Sequence, residues 1–286
     1  MFEKRDCNYH DIINFMYIKR AFGITKDNII LAQPLVLYLV VISLTMAGLA
    51  QQGNKTAFMV FALANILLTT AFCAGWFYMV KKTIEHSKKE FEKSEEQSMA
   101  SFALVKDFFP GVGEFFLPVT FLIIIYTTLF FAVMYLGYKF GLHALPHPHI
   151  NWPEMMAAQT PEQMQKFVHS LSFTQIKILN LWMFYMGAVF FLFSFLTLFL
   201  YPAMIYDSKN PFIAFWINIK FVFKNFFGSL GLLIFLLALH MFLSALSLLF
   251  SLNVFLSIIF LVISFYFATY CLVLIFLYYD EKRKEA

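Results

Sequence analysis

Six long apolar runs organise this 286-residue chain, and its charged residues lie only between or outside them. The runs cover residues 29–49, 57–80, 115–138, 178–206, 228–250 and 254–279. A helix crosses a bilayer with about 20 apolar residues, and it satisfies its own backbone hydrogen bonds in lipid. The runs lack the period-two alternation that marks the strands of a membrane barrel. The pattern therefore predicts an all-α, polytopic membrane protein with six transmembrane helices.

A short pattern with a central lysine precedes the first, third and fifth runs. Its copies are Phe15–x–x–Ile18–Lys19–x–x–Phe22, Phe102–x–x–Val105–Lys106–x–x–Phe109 and Trp216–x–x–Ile219–Lys220–x–x–Phe223. The second, fourth and sixth runs each close with a tyrosine near charged residues, namely Tyr78, Tyr206 and Tyr279. Lysines reach from apolar surfaces to headgroups, and tyrosine rings favour the membrane interface. We therefore predict three repeats of an interfacial helix plus two spans, with these lysines and tyrosines at the lipid interface.

Local signals predict where the shorter helices begin and end. Asn210 followed by Pro211 is typical of a helix start, because Asn caps free N–H groups and Pro needs no donor there. Thr160–Pro161–Glu162–Gln163 has a similar form and predicts a short helix through about Ser170. In the second repeat, we expect Pro110–Gly111 to end the interfacial helix before the third span.

Basic residues are distributed unevenly across the predicted membrane. Of the 21 Lys and Arg residues, 17 lie before the first span, after the sixth, or between spans two and three or four and five. The positive-inside rule then places both termini in the cytoplasm. Only 13% of the residues are charged, against about 25% in a typical soluble protein. The bases are scattered, which excludes a nucleic-acid-binding patch and leaves the lipid bilayer and other membrane proteins as the expected partners.

The segment 139–177 is the one sizeable loop predicted on the outer side, and it holds four of the seven histidines. His147 and His149 flank a proline, and neutral imidazoles bind zinc or copper. Neither HExxH nor a Cys-rich spacing accompanies them. We favour a proline- and histidine-rich turn near the headgroups over a metal site, and we predict no cofactor.

Two polar residues inside the spans are candidates for an intramembrane site. His240 lies midway along the fifth span, and Asn65 lies in the second. An ionisable side chain in a span indicates function, whereas a neutral histidine bonded across helices is structural. We favour the structural role over the handling of a proton or ligand. The candidate hydrogen-bond partners of His240 are Ser244, Asn65, Thr69 and Thr70.

The chain contains no motif for a familiar class of catalysis. GxSxG, GxxxxGKS/T and GxGxxG are all absent. No charge lies inside a span and no mid-membrane break is visible, which argues against an ion-coupled transporter. A carrier for an apolar or lipidic molecule stays open. Because no linker divides the chain, we predict one integral membrane domain, 1–286.

One stretch resembles known families. Residues 199–239, FLYPAMIYDSKNPFIAFWINIKFVFKNFFGSLGLLIFLLAL, are similar to bacterial six-span inner-membrane families of unknown function, among them the YciC family. Those families share a span, a short polar break, an interfacial helix with Lys near its end, and another span. Asn218 stands where they often have Ser. The resemblance implies a bacterial inner-membrane protein tied to envelope or lipid homeostasis, with no catalytic residue to carry over.

Three functions follow as hypotheses from the sequence. The first is a non-enzymatic inner-membrane protein that acts in envelope or lipid homeostasis or as an accessory membrane subunit. The second is a carrier or channel for a small apolar or lipidic solute, which requires a continuous cavity between the repeats near His240. The third, which we favour least, is a metal-dependent membrane enzyme that uses the outer loop.

Overall fold

The computed structural model describes residues 15–52, 55–88, 94–147, 157, 160–250 and 253–285. Every regular element among these residues is a helix and none is a strand, which confirms the all-α prediction. The elements are α1 (Phe15–Asp27), a 3-10 helix (Ile29–Ala32), α2 (Gln33–Gln52), α3 (Lys55–His86), α4 (Ser94–Ala144), α5 (Pro161–Ser170), α6 (Phe173–Thr197), α7 (Leu200–Tyr206), α8 (Pro211–Lys224), α9 (Phe226–Phe250) and α10 (Val254–Lys282).

Five helical segments of the described chain are long and apolar enough to cross a membrane. They are Ile29–Met46, Ala103–Ala144, Phe173–Tyr206, Phe226–Phe250 and Val254–Lys282. The predicted run 57–80 lies inside α3, a helix of 32 residues, but part of it falls outside the residues whose side chains are described. The sixth crossing and the threefold repeat therefore stay predictions.

The chain divides into two compact units. The first comprises Met1–Ile124 with Phe195–Ala286, and the second comprises Ile125–Ser194. The prediction of one membrane domain is not tested by this division, and we describe each unit by itself.

Aromatic side chains hold the first unit together. Helix α1 packs along α10, where the rings of Tyr17 and Tyr278 meet edge to face with centroids 5.6 Å apart. Trp76 of α3 donates its indole N–H to the carbonyl of Leu31 at 2.8 Å, which fixes the 3-10 helix against α3. Edge-to-face pairs add about 0.5–1.5 kcal/mol beyond the area that they bury, so these contacts set the position of α1.

Helices α3 and α4 approach closely at two glycines. A Cβ atom at Gly111 would lie 2.6 Å from Cβ of Tyr78, and one at Gly75 would lie 2.6 Å from the ring of Phe108. The prediction that Pro110–Gly111 ends a helix is wrong, because α4 continues through this pair to Ala144. The physical reason is that a glycine serves close packing as well as helix termination, and apolar helices tolerate an internal proline.

The fourth apolar run is interrupted near one end, between α6 and α7. Its free backbone groups are satisfied by Asn218 of α8, a fully buried residue. The Asn218 carboxamide oxygen accepts from the Phe199 N–H at 3.0 Å, and its amide donates to the Leu196 carbonyl at 2.6 Å. The predicted run 178–206 is thus formed by two helices, α6 and α7, within one candidate span. Helix α8 itself begins as predicted, since the Asn210 side chain accepts from the N–H groups of residues 212 and 213.

The second unit joins the later part of α4 to α6. The Tyr185 hydroxyl donates to the Gly137 carbonyl at 2.9 Å, and the Trp182 indole donates to the Pro146 carbonyl at 2.9 Å. The predicted start of α5 is confirmed, because Thr160 and Gln163 form a reciprocal capping box.

Candidate functional site

Charged and aromatic residues gather in the first unit where α3, α7 and α10 end. We call this group the terminal cluster. Its members are Lys81, Lys88, Tyr206, Asp207, Tyr279, Asp280, Arg283 and Lys284.

Asp280 is the centre of the terminal cluster and is only 2% exposed. Its carboxylate forms an ion pair with Lys88 and accepts from Arg283 at 2.9 and 3.1 Å and from Lys284 at 3.0 Å. Burial lowers the pKa of Lys88, although its hydrogen bond to Asp280 opposes this. A carboxylate so buried is stable only when it is paired, so these cations form part of the fold.

Asp207 links the end of α7 to α10. One carboxylate oxygen accepts from the Tyr279 hydroxyl, and the other accepts from the Arg283 guanidinium at 2.7 Å. Arg283 therefore bridges Asp207 and Asp280, and its planar group also lies 4.4 Å from the Tyr206 ring centroid. Arginine suits such a position because its fork of donors has a fixed geometry.

The Tyr206 ring lies beneath the ammonium group of Lys81, and the Tyr206 hydroxyl is buried. Lys81 lies 5.4 Å from the ring centroid and donates to the Ile205 carbonyl at 3.1 Å. Burial lowers the pKa of the Lys81 ammonium, and nearby Glu85 partly offsets this effect. Among the described residues, the Tyr206 hydroxyl has no hydrogen-bond partner. A buried hydroxyl without a partner destabilises the folded protein, and no hydrogen bond offsets this for Tyr206.

Two of the three tyrosines predicted at the interface meet in this cluster. The rings of Tyr206 and Tyr279 stack with centroids 6.3 Å apart, and Tyr279 is fully buried. Tyr78 lies apart from them, against Gly111 and beneath Lys82, whose ammonium is 5.4 Å from the ring centroid. A hydrogen bond to Glu85 raises the pKa of Lys82. The lipid-anchor role of the three tyrosines stays a prediction.

The three pattern lysines lie on exposed helix surfaces. Lys19 is on α1, Lys106 on α4 and Lys220 on α8. On α8, Lys220 is accompanied by exposed aromatic side chains, with Trp216 60% exposed and Phe223 61% exposed. Their position at the lipid interface stays a prediction.

His240 lines a cavity of about 390 Å³ between α9 and α10. The cavity thus lies between the two helices of the third predicted repeat, and not between repeats as the carrier hypothesis expected. The remaining lining residues are Leu236, Leu239, Leu243, Ser244, Ser247, Phe260, Ser264, Phe267, Ala268 and Cys271. Among the residues whose side chains are described, none from α3 contributes to this lining. Asn65, Thr69 and Thr70, which the sequence offered as partners of His240, are thus not brought to it.

Asn65 lies instead in a polar group of α2 and α3. The backbone carbonyl oxygen of Asn65 accepts from the Thr69 hydroxyl at 2.7 Å, and the Tyr38 hydroxyl bonds to the same Thr69 hydroxyl at 2.7 Å. The side-chain oxygen of Asn65 is buried and finds no partner among the described residues. Asn65 and His240 are therefore two separate features.

Only one of the two candidate metal ligands lies among the described residues. His147 is exposed after α4, whereas His149 lies outside the described residues. Across the part of the chain that the structure describes, no three His, Cys, Asp or Glu residues gather in a way that could hold a metal ion.

Comparison with known proteins gave no match: no protein-family model fits the chain, and neither a curated protein nor a solved structure is significantly similar to it. The chemistry of the site itself must therefore support any functional proposal.

Proposed function

We propose that the chain is a non-enzymatic integral protein of the bacterial cytoplasmic membrane. It crosses the membrane six times as three repeats, with both termini in the cytoplasm. It acts in envelope or lipid homeostasis or as an accessory membrane subunit. The resemblance of residues 199–239 to YciC-like families agrees with this role.

The exposed surface of α8 carries the proposal. This helix of 14 residues places buried Asn218 against the break in the fourth run, while Trp216, Lys220 and Phe223 stay exposed. A helix with exposed rings and a lysine is suited to the layer between headgroups and acyl chains.

A charge-reversal experiment tests the interfacial role. In a bacterial strain that lacks the gene and is hypersensitive to detergent, we expect the wild-type gene to restore growth. The triple variant Lys19→Glu, Lys106→Glu, Lys220→Glu should not restore it, because acidic side chains are repelled by anionic headgroups.

A matched control makes the same charge change on the predicted outer side. The triple variant Lys139→Glu, Lys166→Glu, Lys177→Glu should restore growth. Equal rescue by both triple variants, or a deletion strain with an intact envelope, would contradict the proposed role.

The cavity beside His240 favours a second candidate, a carrier for a small apolar or lipidic solute. Its volume of about 390 Å³ lies within the range of small-molecule sites, and its lining is mostly apolar. Transfer of a fluorescent lipid between vesicles that contain the purified protein would measure this activity. Transfer no faster than between protein-free vesicles would exclude the carrier.

A further inference from the structure

We propose that the cavity between α9 and α10, which we call the His240 cavity, binds an amphiphile with a long apolar chain and an uncharged carbonyl group. His240 and Ser244 are its polar contacts. This inference deepens the second candidate function and rests on the cavity that supports it.

The hydrogen bonds within the cavity decide which groups remain for a ligand. The Ser247 hydroxyl donates to the Ser244 carbonyl at 2.7 Å, and the Ser264 hydroxyl donates to the Phe260 carbonyl at 2.8 Å. These two side chains keep only acceptor capacity. The side chains of His240 and Ser244 form no hydrogen bond with the described residues.

His240 and Ser244 therefore supply the unused donors of the cavity. They are four residues apart on α9, so they lie one above the other on the same helix face. A neutral imidazole has one donor and one acceptor, and a hydroxyl has one donor. A carbonyl oxygen has two lone pairs and no donor of its own, so it can accept from both groups at once.

The remaining lining excludes a charged group. Among the described residues, no Lys, Arg, Asp or Glu lines the cavity, and apart from His240 and three serines its lining is Leu, Phe, Ala and Cys. A carboxylate or phosphate would lose its hydration without gaining a countercharge, which is costly in a low-dielectric site. The ligand carbonyl is therefore an ester or a ketone, as in a neutral glyceride or an isoprenoid quinone.

The cavity is open to the hydrocarbon region of the membrane. His240 and Ala268 are both exposed on the surface of the protein, and each lies near the middle of its helix. A ligand can thus enter sideways from the bilayer without crossing the headgroup layer. This path suits a molecule whose polar group is uncharged.

Photo-crosslinking tests the inference on the full chain in lipid nanodiscs. The probe is a diacylglycerol with a diazirine on one acyl chain, and the adduct is mapped by peptide mass spectrometry. We expect adducts on α9 and α10, displaced by excess dioctanoylglycerol if the ligand is a glyceride and by decylubiquinone if it is a quinone. Adducts spread evenly over all helices would overturn the inference.

Two kinds of variant separate binding from folding. Ala268→Phe fills the cavity and should abolish the adduct on α9 and α10. His240→Leu and Ser244→Ala each remove one polar contact and should weaken competitor binding about two- to tenfold. Ser244→Ala removes only a hydroxyl that forms no hydrogen bond with the described residues, so this variant should fold. It therefore still tests the inference if Ala268→Phe fails to fold.

Ser257→Ala is the matched control, because Ser257 lies on α10 outside the cavity lining, and its hydroxyl donates to the Asn253 and Phe250 carbonyls at 3.0 and 3.1 Å. It should leave the adduct unchanged. Undiminished labelling in Ala268→Phe would overturn the inference. A negative vesicle-transfer result with labelling intact would exclude the carrier function alone and leave the binding site standing.

Discussion

The buried carboxamide of Asn218 replaces a missing turn of helix beside Phe199. Its oxygen accepts the Phe199 N–H at 3.0 Å, and its amide nitrogen donates to the Leu196 carbonyl at 2.6 Å. Buried backbone groups are almost always paired, so the Asn218 side chain stabilises the break between α6 and α7. Phe221 of α8 adds a second contact, because its ring meets that of Phe199 edge to face with centroids 4.9 Å apart.

Removing the Asn218 carboxamide should lower the free energy of unfolding by more than the loss of so few atoms would indicate. Asn218→Ala leaves the buried Phe199 N–H and the partly buried Leu196 carbonyl without these partners, and an unpaired buried group costs about 1–3 kcal/mol. We expect a lower midpoint in SDS-induced unfolding, followed by circular dichroism in detergent.

Asn225→Ala is the comparison for that prediction. The Asn225 amide is half-buried and donates to the Phe221 carbonyl of its own helix at 3.2 Å. Its loss should cost about 1 kcal/mol or less. Equal midpoints for the two variants would show that Asn218 does not support the break.

Two tyrosines of the terminal cluster should respond in opposite ways to the loss of a hydroxyl. Tyr279→Phe removes the donor to Asp207, a bond to a carboxylate worth about 1.5–3 kcal/mol. Tyr206→Phe removes a buried hydroxyl that has no partner among the described residues, so stability should stay equal or rise. The same unfolding measurement compares them. A larger loss in Tyr206→Phe than in Tyr279→Phe would contradict the assigned hydrogen bonds.

Two glycines of α4 provide a test of helix packing. Gly111→Ala would place a methyl group 2.6 Å from Cβ of Tyr78, and overpacking of this kind costs about 1–3 kcal/mol. Gly113 has no atom within 4 Å of such a methyl group, so Gly113→Ala should be neutral or stabilising by up to about 1 kcal/mol. Thermal unfolding in detergent measures both. Similar losses in the two variants would argue against a close approach of α3 at Gly111.

The break at Leu198–Phe199 had a signal in the sequence that span prediction passed over. Pro202 has no N–H to donate, and proline fits best in the first turn of a helix. It lies in the first turn of α7, so a helix start near Leu200 follows from it. Hydropathy alone hid this start, because the whole of 178–206 is apolar. The caps at Asn210 and Thr160 were predictable because their signals are local.

The terminal cluster could not be predicted in the same way. Asp207 and Arg283 are 76 positions apart, and no local pattern pairs them. The sequence identified Tyr206 and Tyr279 only as aromatic residues near charges. The ambiguity at Pro110–Gly111 has the same origin, since only the position of Tyr78 reveals that this glycine serves packing. The helix caps, which depend on neighbouring residues, were therefore predicted, whereas the features that depend on contacts between distant residues were missed.

The number of crossings is the prediction on which the orientation of every site depends. Helix α3 carries Asn65, Thr69 and Thr70 at its middle, yet the Thr69 and Thr70 hydroxyls donate to carbonyls of the same helix at 2.7 and 2.8 Å. This bonding lowers the cost of placing them in lipid, so we expect α3 to cross. Reporter fusions after Gln52 and after Lys88 should then report the outer and the cytoplasmic side, with a carboxy-terminal fusion also cytoplasmic. The same side for the first two fusions would remove the crossing by α3, reduce the spans to five and overturn the placement of both termini in the cytoplasm.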